Sequence, residues 1–126
     1  MMYRDLYEKA VESMKFAYAP FSKFHVGAAL LSKSGQIYTG VNVENSSFGA
    51  TICAERTAMV KAVSEGDREW EAIAIVSSDG AATPCGICRQ FMSEFADGEF
   101  KIITGDDADH LTVYTLEELF PEGFKL

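Results

Sequence analysis

The residues able to do chemistry sit in two short runs, Cys53-Ala54-Glu55-Arg56 and Pro84-Cys85-Gly86-Ile87-Cys88-Arg89-Gln90, which hold all three cysteines of the chain. Three thiolates occupy three corners of a tetrahedron around Zn²⁺ and leave the fourth open for water, the layout of a catalytic zinc site rather than a structural one. Glu55, two residues from Cys53, is then placed as a general acid and base beside the open corner. A C-x-x-C pair alone is weak, because thiol–disulfide sites use the same spacing. Cys53 and Glu55 on a second segment favour the metal.

Both motifs must open helices. In a helix interior, residues two apart point about 200° away from each other, so Cys53 and Glu55 can face one ion only in a first turn. There the free N–H groups and the positive end of the helix dipole also favour thiolates. Pro84 stiffens the approach to the second helix, and Gly86 lets the backbone come close to sulfur. Three thiolates on Zn²⁺ leave a net charge of −1, which opposes ionisation of bound water. Arg56 is the nearby cation able to hydrogen-bond the sulfurs and offset that charge. A carboxyl buried near such a cluster has its pKa raised, which suits a group that both takes and gives a proton.

The remaining sequence supplies elements to carry these turns. Leu6, Tyr7, Ala10, Val11, Met14 and Ala17 have helical spacing over 3–17, and Pro20 closes the segment. Strands are expected at 24–31 and 36–43 as a hairpin across Ser32-Lys33-Ser34-Gly35, with further strands at 72–76, 100–104 and 111–114. Helices are expected over 51–64, ending before Gly66, and 84–95, with 77–83 as a loop between strand and motif. A capping box at Thr115-Leu116-Glu117-Glu118 marks a last helical turn. Together these predict an α/β chain, a three-layer α/β/α sandwich around a mixed sheet of about five strands, as one domain over residues 1–126.

Composition narrows the partners. At 126 residues with 48% apolar content the chain can build a real core. Nineteen acidic against eleven basic residues give a net charge of −8, which repels nucleic acid and anionic membrane surfaces, so neither is an expected partner. A small uncharged substrate fits better. The N-terminal run lacks the apolar core of a signal peptide, no stretch approaches the roughly 20 apolar residues of a membrane span, and the thiols are reserved for metal. A soluble cytoplasmic protein is the expectation.

The residues resemble the small zinc-dependent cytidine deaminases, and the likeness runs nearly the length of the chain. It includes Ala17-Tyr18-Ala19-Pro20-Phe21-Ser22, Phe24-His25-Val26-Gly27-Ala28-Ala29-Leu30, Asn42-Val43-Glu44-Asn45, both metal motifs, and Leu119-Phe120-Pro121-Glu122-Gly123-Phe124. The resemblance implies that Cys53, Cys85 and Cys88 bind zinc and that Glu55 shuttles protons during attack on C4 of cytosine, chemistry known for zinc deaminases generally. It implies that the substrate is a pyrimidine nucleoside, cytidine or 2′-deoxycytidine, in a salvage role. Asn42 and Glu44 would contact the ribose hydroxyls, Phe24 would stack on the base, and the backbone at Ala54 would meet the base edge. It further implies a homotetramer with shared active sites, in which Phe124 reaches a neighbour's pocket. Phe48 departs from the family pattern, standing where relatives often carry a tyrosine that reaches a neighbouring site.

Competing readings remain at this level. His25 or His110 could complete a structural zinc site, although neither lies within a motif spacing of the cysteines. Within enzymes, the alternative is deamination of a modified cytosine nucleoside, as in the blasticidin-type deaminases, which share the two motifs. Asp106-Asp107-Ala108-Asp109 reads as an acidic loop and not as a calcium site.

Overall fold

Alternation along one strand sets the layers of this structure, a computed structural model that describes residues 2–126. Strand β3 (Trp70–Ser77) sends Ile73 and Ile75 to one face of the sheet and Ala72, Ala74 and Val76 to the other. The second face is covered by helix α1 (Met2–Ser13) through Leu6, Tyr7 and Ala10. The first is covered by α2 (Ala54–Ser64), α3 (Gly86–Phe95) and the short α4 (Leu116–Leu119), through Ala58, Met59, Ala62, Met92 and Leu116. The expected α/β/α sandwich is therefore present.

The sheet is mixed, in the order β2-β1-β3-β5-β6. Strands β1 (Val26–Ser32) and β2 (Ile37–Val41) form the expected antiparallel hairpin, and Gly35 at φ 95° supplies the left-handed turn residue. Strand β1 also pairs antiparallel with β3, while β3 and β5 (Lys101–Gly105) are parallel, joined through α3. Strand β6 (Leu111–Thr115) closes the edge antiparallel to β5. Gly40 in β2 is where α2 lies closest to the sheet. A Cβ there would stand 2.6 Å from the Ala54 carbonyl oxygen, so only glycine lets the first turn of α2 sit directly on β2.

The differences from the sequence reading gather around the metal motifs. Helix α2 opens at Ala54 and not near residue 51, because Val43 and Ile52 exchange backbone hydrogen bonds at 2.9 and 3.0 Å and hold Ile52 extended. Strand β2 ends at Val41, since the Asn42 side chain turns to the main chain of the first strand. The segment read as a loop over 77–83 contains a two-residue strand, β4 (Gly80–Ala81), paired with β3 and turned by Gly80 at φ 99°. Two residues are too few to show alternation. The first helix ends at Ser13 and tightens into a 3₁₀ turn over Met14–Phe16. The capping box at Thr115 and Glu118 is formed as expected.

Candidate active site

Cys53 and Cys85 are the N-cap residues of α2 and α3, both in extended conformation, so each side chain projects beyond its helix instead of along it. Cys88 follows in the first turn of α3 and is fully buried, with Cys53 half-buried and Cys85 exposed. The sulfurs of Cys53 and Cys85 are 3.7 Å apart, those of Cys85 and Cys88 3.5 Å, and all three lie within 4.8 Å of one another. Tetrahedral zinc with bonds of about 2.3 Å puts its sulfur ligands about 3.8 Å apart, so the three thiols are spaced to hold that ion. No histidine joins the cluster among the described residues, and His110 instead pairs with Asp107 at 2.8 Å. The acidic loop is likewise committed: Asp106 accepts from the Ala81 N–H at 3.0 Å and Asp107 from that of Asp109 at 2.8 Å.

Electrostatics separate the groups by role. Arg56 Nη2 donates to the Cys53 sulfur at 3.5 Å, while its buried Nε has no hydrogen-bond partner. Hydrogen bonding from Cys88, then from Arg56 and Cys85, brings the Cys53 thiol down to about 5. Cys88 moves the other way, held up by its bond to Cys53 and by burial. Burial pushes the Glu55 carboxyl up to about 7, with the charge on Cys53 adding to the rise. That residue is only 5% exposed. A carboxyl poised near neutral pH both accepts and returns protons efficiently.

The cluster opens into a cavity of about 240 Å³ that Phe24, Asn42, Glu44, Cys53, Glu55 and Cys85 help to line. Six of the residues singled out in the sequence thus meet at one pocket. Ala54, completely buried at the start of α2, and Phe124 do not line it. Phe124 is exposed, and its main chain makes two hydrogen bonds to the Gln90 side chain at 2.8 and 3.3 Å.

Two polar groups at the mouth are more committed than their sequence positions suggest. Asn42 accepts from the Val26 N–H at 2.9 Å and donates to the Phe24 carbonyl at 2.7 Å, so its amide ties the start of β1 to the end of β2. One N–H and one lone pair are left for a ligand. Glu44 accepts from the N–H groups of Phe21 and Ser22 at 3.0 and 3.1 Å and from the Ser22 hydroxyl. The Ser22 hydroxyl is the main reason its pKa falls below 4.5. With the folded-state value depressed, the carboxylate favours the folded loop above pH 4.5 and loses that contribution as pH falls through the folded value. Ser22→Ala is expected to raise the Glu44 pKa toward 4.5 in a carboxyl NMR titration, and an unmoved titration would contradict this origin. Val26, Thr51, Ile52, Ile75, Ala82 and Thr83 complete the wall, and sequence reasoning missed them as site residues. For Thr83 a signal existed, its place directly before Pro84.

The family model for the cytidine and deoxycytidylate deaminase zinc-binding region matches residues 2–104. This chain belongs to that family. A cytidine deaminase of Halalkalibacterium halodurans is 44% identical over 120 residues, covering 94% of this chain and 91% of the relative. One from Sporosarcina psychrophila is 46% identical over 109 residues, covering 86% and 80%. The crystal structure of cytidine deaminase from Burkholderia pseudomallei superposes with a TM-score of 0.91 at 39% identity, covering 98% of this chain and all of the other. The deaminase family's zinc-binding region thus includes both cysteine motifs and the strands that carry them.

Proposed function

We propose that this protein is a cytoplasmic enzyme of pyrimidine salvage that hydrolyses cytidine and 2′-deoxycytidine to uridine and 2′-deoxyuridine with release of ammonia. What supports the reading is one cavity lined by Cys53, Cys85 and a buried carboxyl near neutrality, with the third metal-spaced sulfur, Cys88, beside those two and the polar side chains of Asn42 and Glu44 at the mouth. Zinc held by Cys53, Cys85 and Cys88 would supply the Lewis acidity that makes water nucleophilic near neutral pH.

The protein's own residues do the rest. Glu55 takes the proton from the attacking water and delivers it to N3 of the ring as the C4–O bond forms. A second proton passing through the same carboxyl leaves with the amino nitrogen as the C4–N bond breaks. Burial suits Glu55 to both steps, because a carboxyl pKa near 7 leaves neither protonation state inaccessible. Phe24 covers the face of the pyrimidine, and the N–H at Ala54 meets the base edge from the start of α2. The remaining N–H of Asn42 and the low-pKa Glu44 carboxylate bind sugar hydroxyls, which selects nucleoside over free base and disfavours a phosphate. Arg56 steadies the anionic sulfurs through Cys53. Residues 1–126 act as one domain.

The assembly is a homotetramer in which Phe124 of one copy enters a neighbour's site. Exposed Phe21, Phe24, Phe48 and Tyr18 near the pocket support burial of this rim between copies. Nucleic acid and membranes are not partners of a chain at −8.

A panel of cytidine, 2′-deoxycytidine, cytosine and CMP, followed by loss of cytosine absorbance, tests the substrate assignment. The two nucleosides are expected to turn over, and the free base and the monophosphate to lag far behind. Equal turnover of cytosine would remove the sugar-binding role of Asn42 and Glu44.

A further inference from the structure

Cys85 is the least supported of the three sulfur ligands. It is exposed where Cys53 is half-buried and Cys88 buried, and Gly86 after it has open space where a Cβ would be. A ligand so placed depends on the peptide that precedes it. Pro84 is fully buried, and its carbonyl accepts a hydrogen bond from Arg89 Nε at 2.7 Å. The same guanidinium donates through Nη1 to the Leu119 carbonyl, also at 2.7 Å, where α4 ends.

We infer that Arg89 is a positioning residue of the metal site, bracing the Pro84–Cys85 peptide against the end of α4 so that the Cys85 sulfur keeps its direction toward the other two. This rests on the zinc reading of the three sulfurs given above. Both acceptors are main-chain carbonyls and neither is a carboxylate, so the full charge of Arg89 is directed at backbone geometry. A planar fork with fixed donor directions can hold two carbonyls at once, which a lysine ammonium on a flexible stem does poorly. Neighbouring Gln90 provides an internal comparison. It tethers the C-terminal segment through Phe124 but makes no bond to Pro84, so tail attachment and ligand positioning are divided between adjacent residues.

The test is the rate at which zinc-loaded, full-length protein releases its metal to a colorimetric chelator, with far-ultraviolet circular dichroism and melting temperature measured in parallel. Partners that orient metal ligands are generally worth about 10–100-fold in metal affinity or activity, and Arg89→Gln is expected to speed release by that order. Arg89→Lys should show part of the effect with the parental fold, and Gln90→Ala should release zinc at the parental rate. Parental release from Arg89→Gln, or equal acceleration by Gln90→Ala, would overturn the assignment. If Arg89→Gln does not fold, Arg89→Lys decides: faster release at an unchanged melting temperature supports the positioning role, and unchanged release refutes it. A parent that holds one zinc per chain yet deaminates no cytosine nucleoside refutes the proposed function while leaving the Arg89 comparison intact.

Discussion

Glu55→Gln is expected to retain zinc and lose nearly all turnover. The substitution keeps the size and burial of the side chain and removes only its capacity to accept and return a proton. General acid–base catalysis is worth about 10²–10⁴ for a single transfer, and here one group serves several, so the loss should lie at or beyond the upper end of that range. Metal content should not fall, because the group of metal-spaced atoms consists of the three sulfurs. Steady-state rates and zinc analysis on the same sample check both halves. A variant that keeps zinc and works within tenfold of the parent would show that Glu55 is not the proton shuttle.

Cys88→Ser should act on the other half of the machinery. Cys88 is fully buried at the start of α3 and belongs to the core cluster that includes Ile73, Ile75 and Met92. Serine nearly preserves its volume but offers a hard hydroxyl, which does not ionise as a thiol does and binds zinc far less well. Since residues that only orient ligands change metal affinity by about 10–100-fold, losing a ligand itself should exceed that, leaving protein that gives up its zinc on dialysis. Turnover should vanish with the metal, and added zinc should not restore it to the parental rate. The fold should survive, because Ile73, Ile75, Met59 and Met92 hold the layer without the ion. A Cys88→Ser protein with full zinc and full activity would contradict the three-sulfur site.

Much of this site was legible in the sequence because its requirements are local. The need for Cys53 and Glu55 to face one ion requires an open helix end there, and Pro84 marks the approach to a second; the N-caps fall on Cys53 and Cys85, two residues after the expected start at 51 and one after that at 84. The strands of the core were readable from their apolar runs, and the α/β/α layering follows from the two faces of β3. What escaped notice depends on chain segments far apart in sequence. The Asn42 amide suits a ligand, yet half of its hydrogen-bonding capacity ties it to Phe24 and Val26. Nothing in the residues near 42 announces that approach. Ser22 holds Glu44 from 22 positions away, and Arg89 reaches Leu119 across 30. Periodicity and spacing report on one element at a time, so contacts that join loops to loops are invisible to them. The late start of α2 has the same origin: Ile52 is kept extended by Val43, a pairing between two segments whose local patterns suit helix and strand respectively.

The most direct measurement is product stoichiometry from cytidine with protein whose zinc content has been assayed, following uridine by chromatography and ammonia by a coupled enzymatic assay. Equimolar uridine and ammonia, formed catalytically by the zinc-loaded protein and lost together when the metal is removed, is the predicted result. Zinc-loaded protein that leaves cytidine unchanged would contradict the proposed reaction.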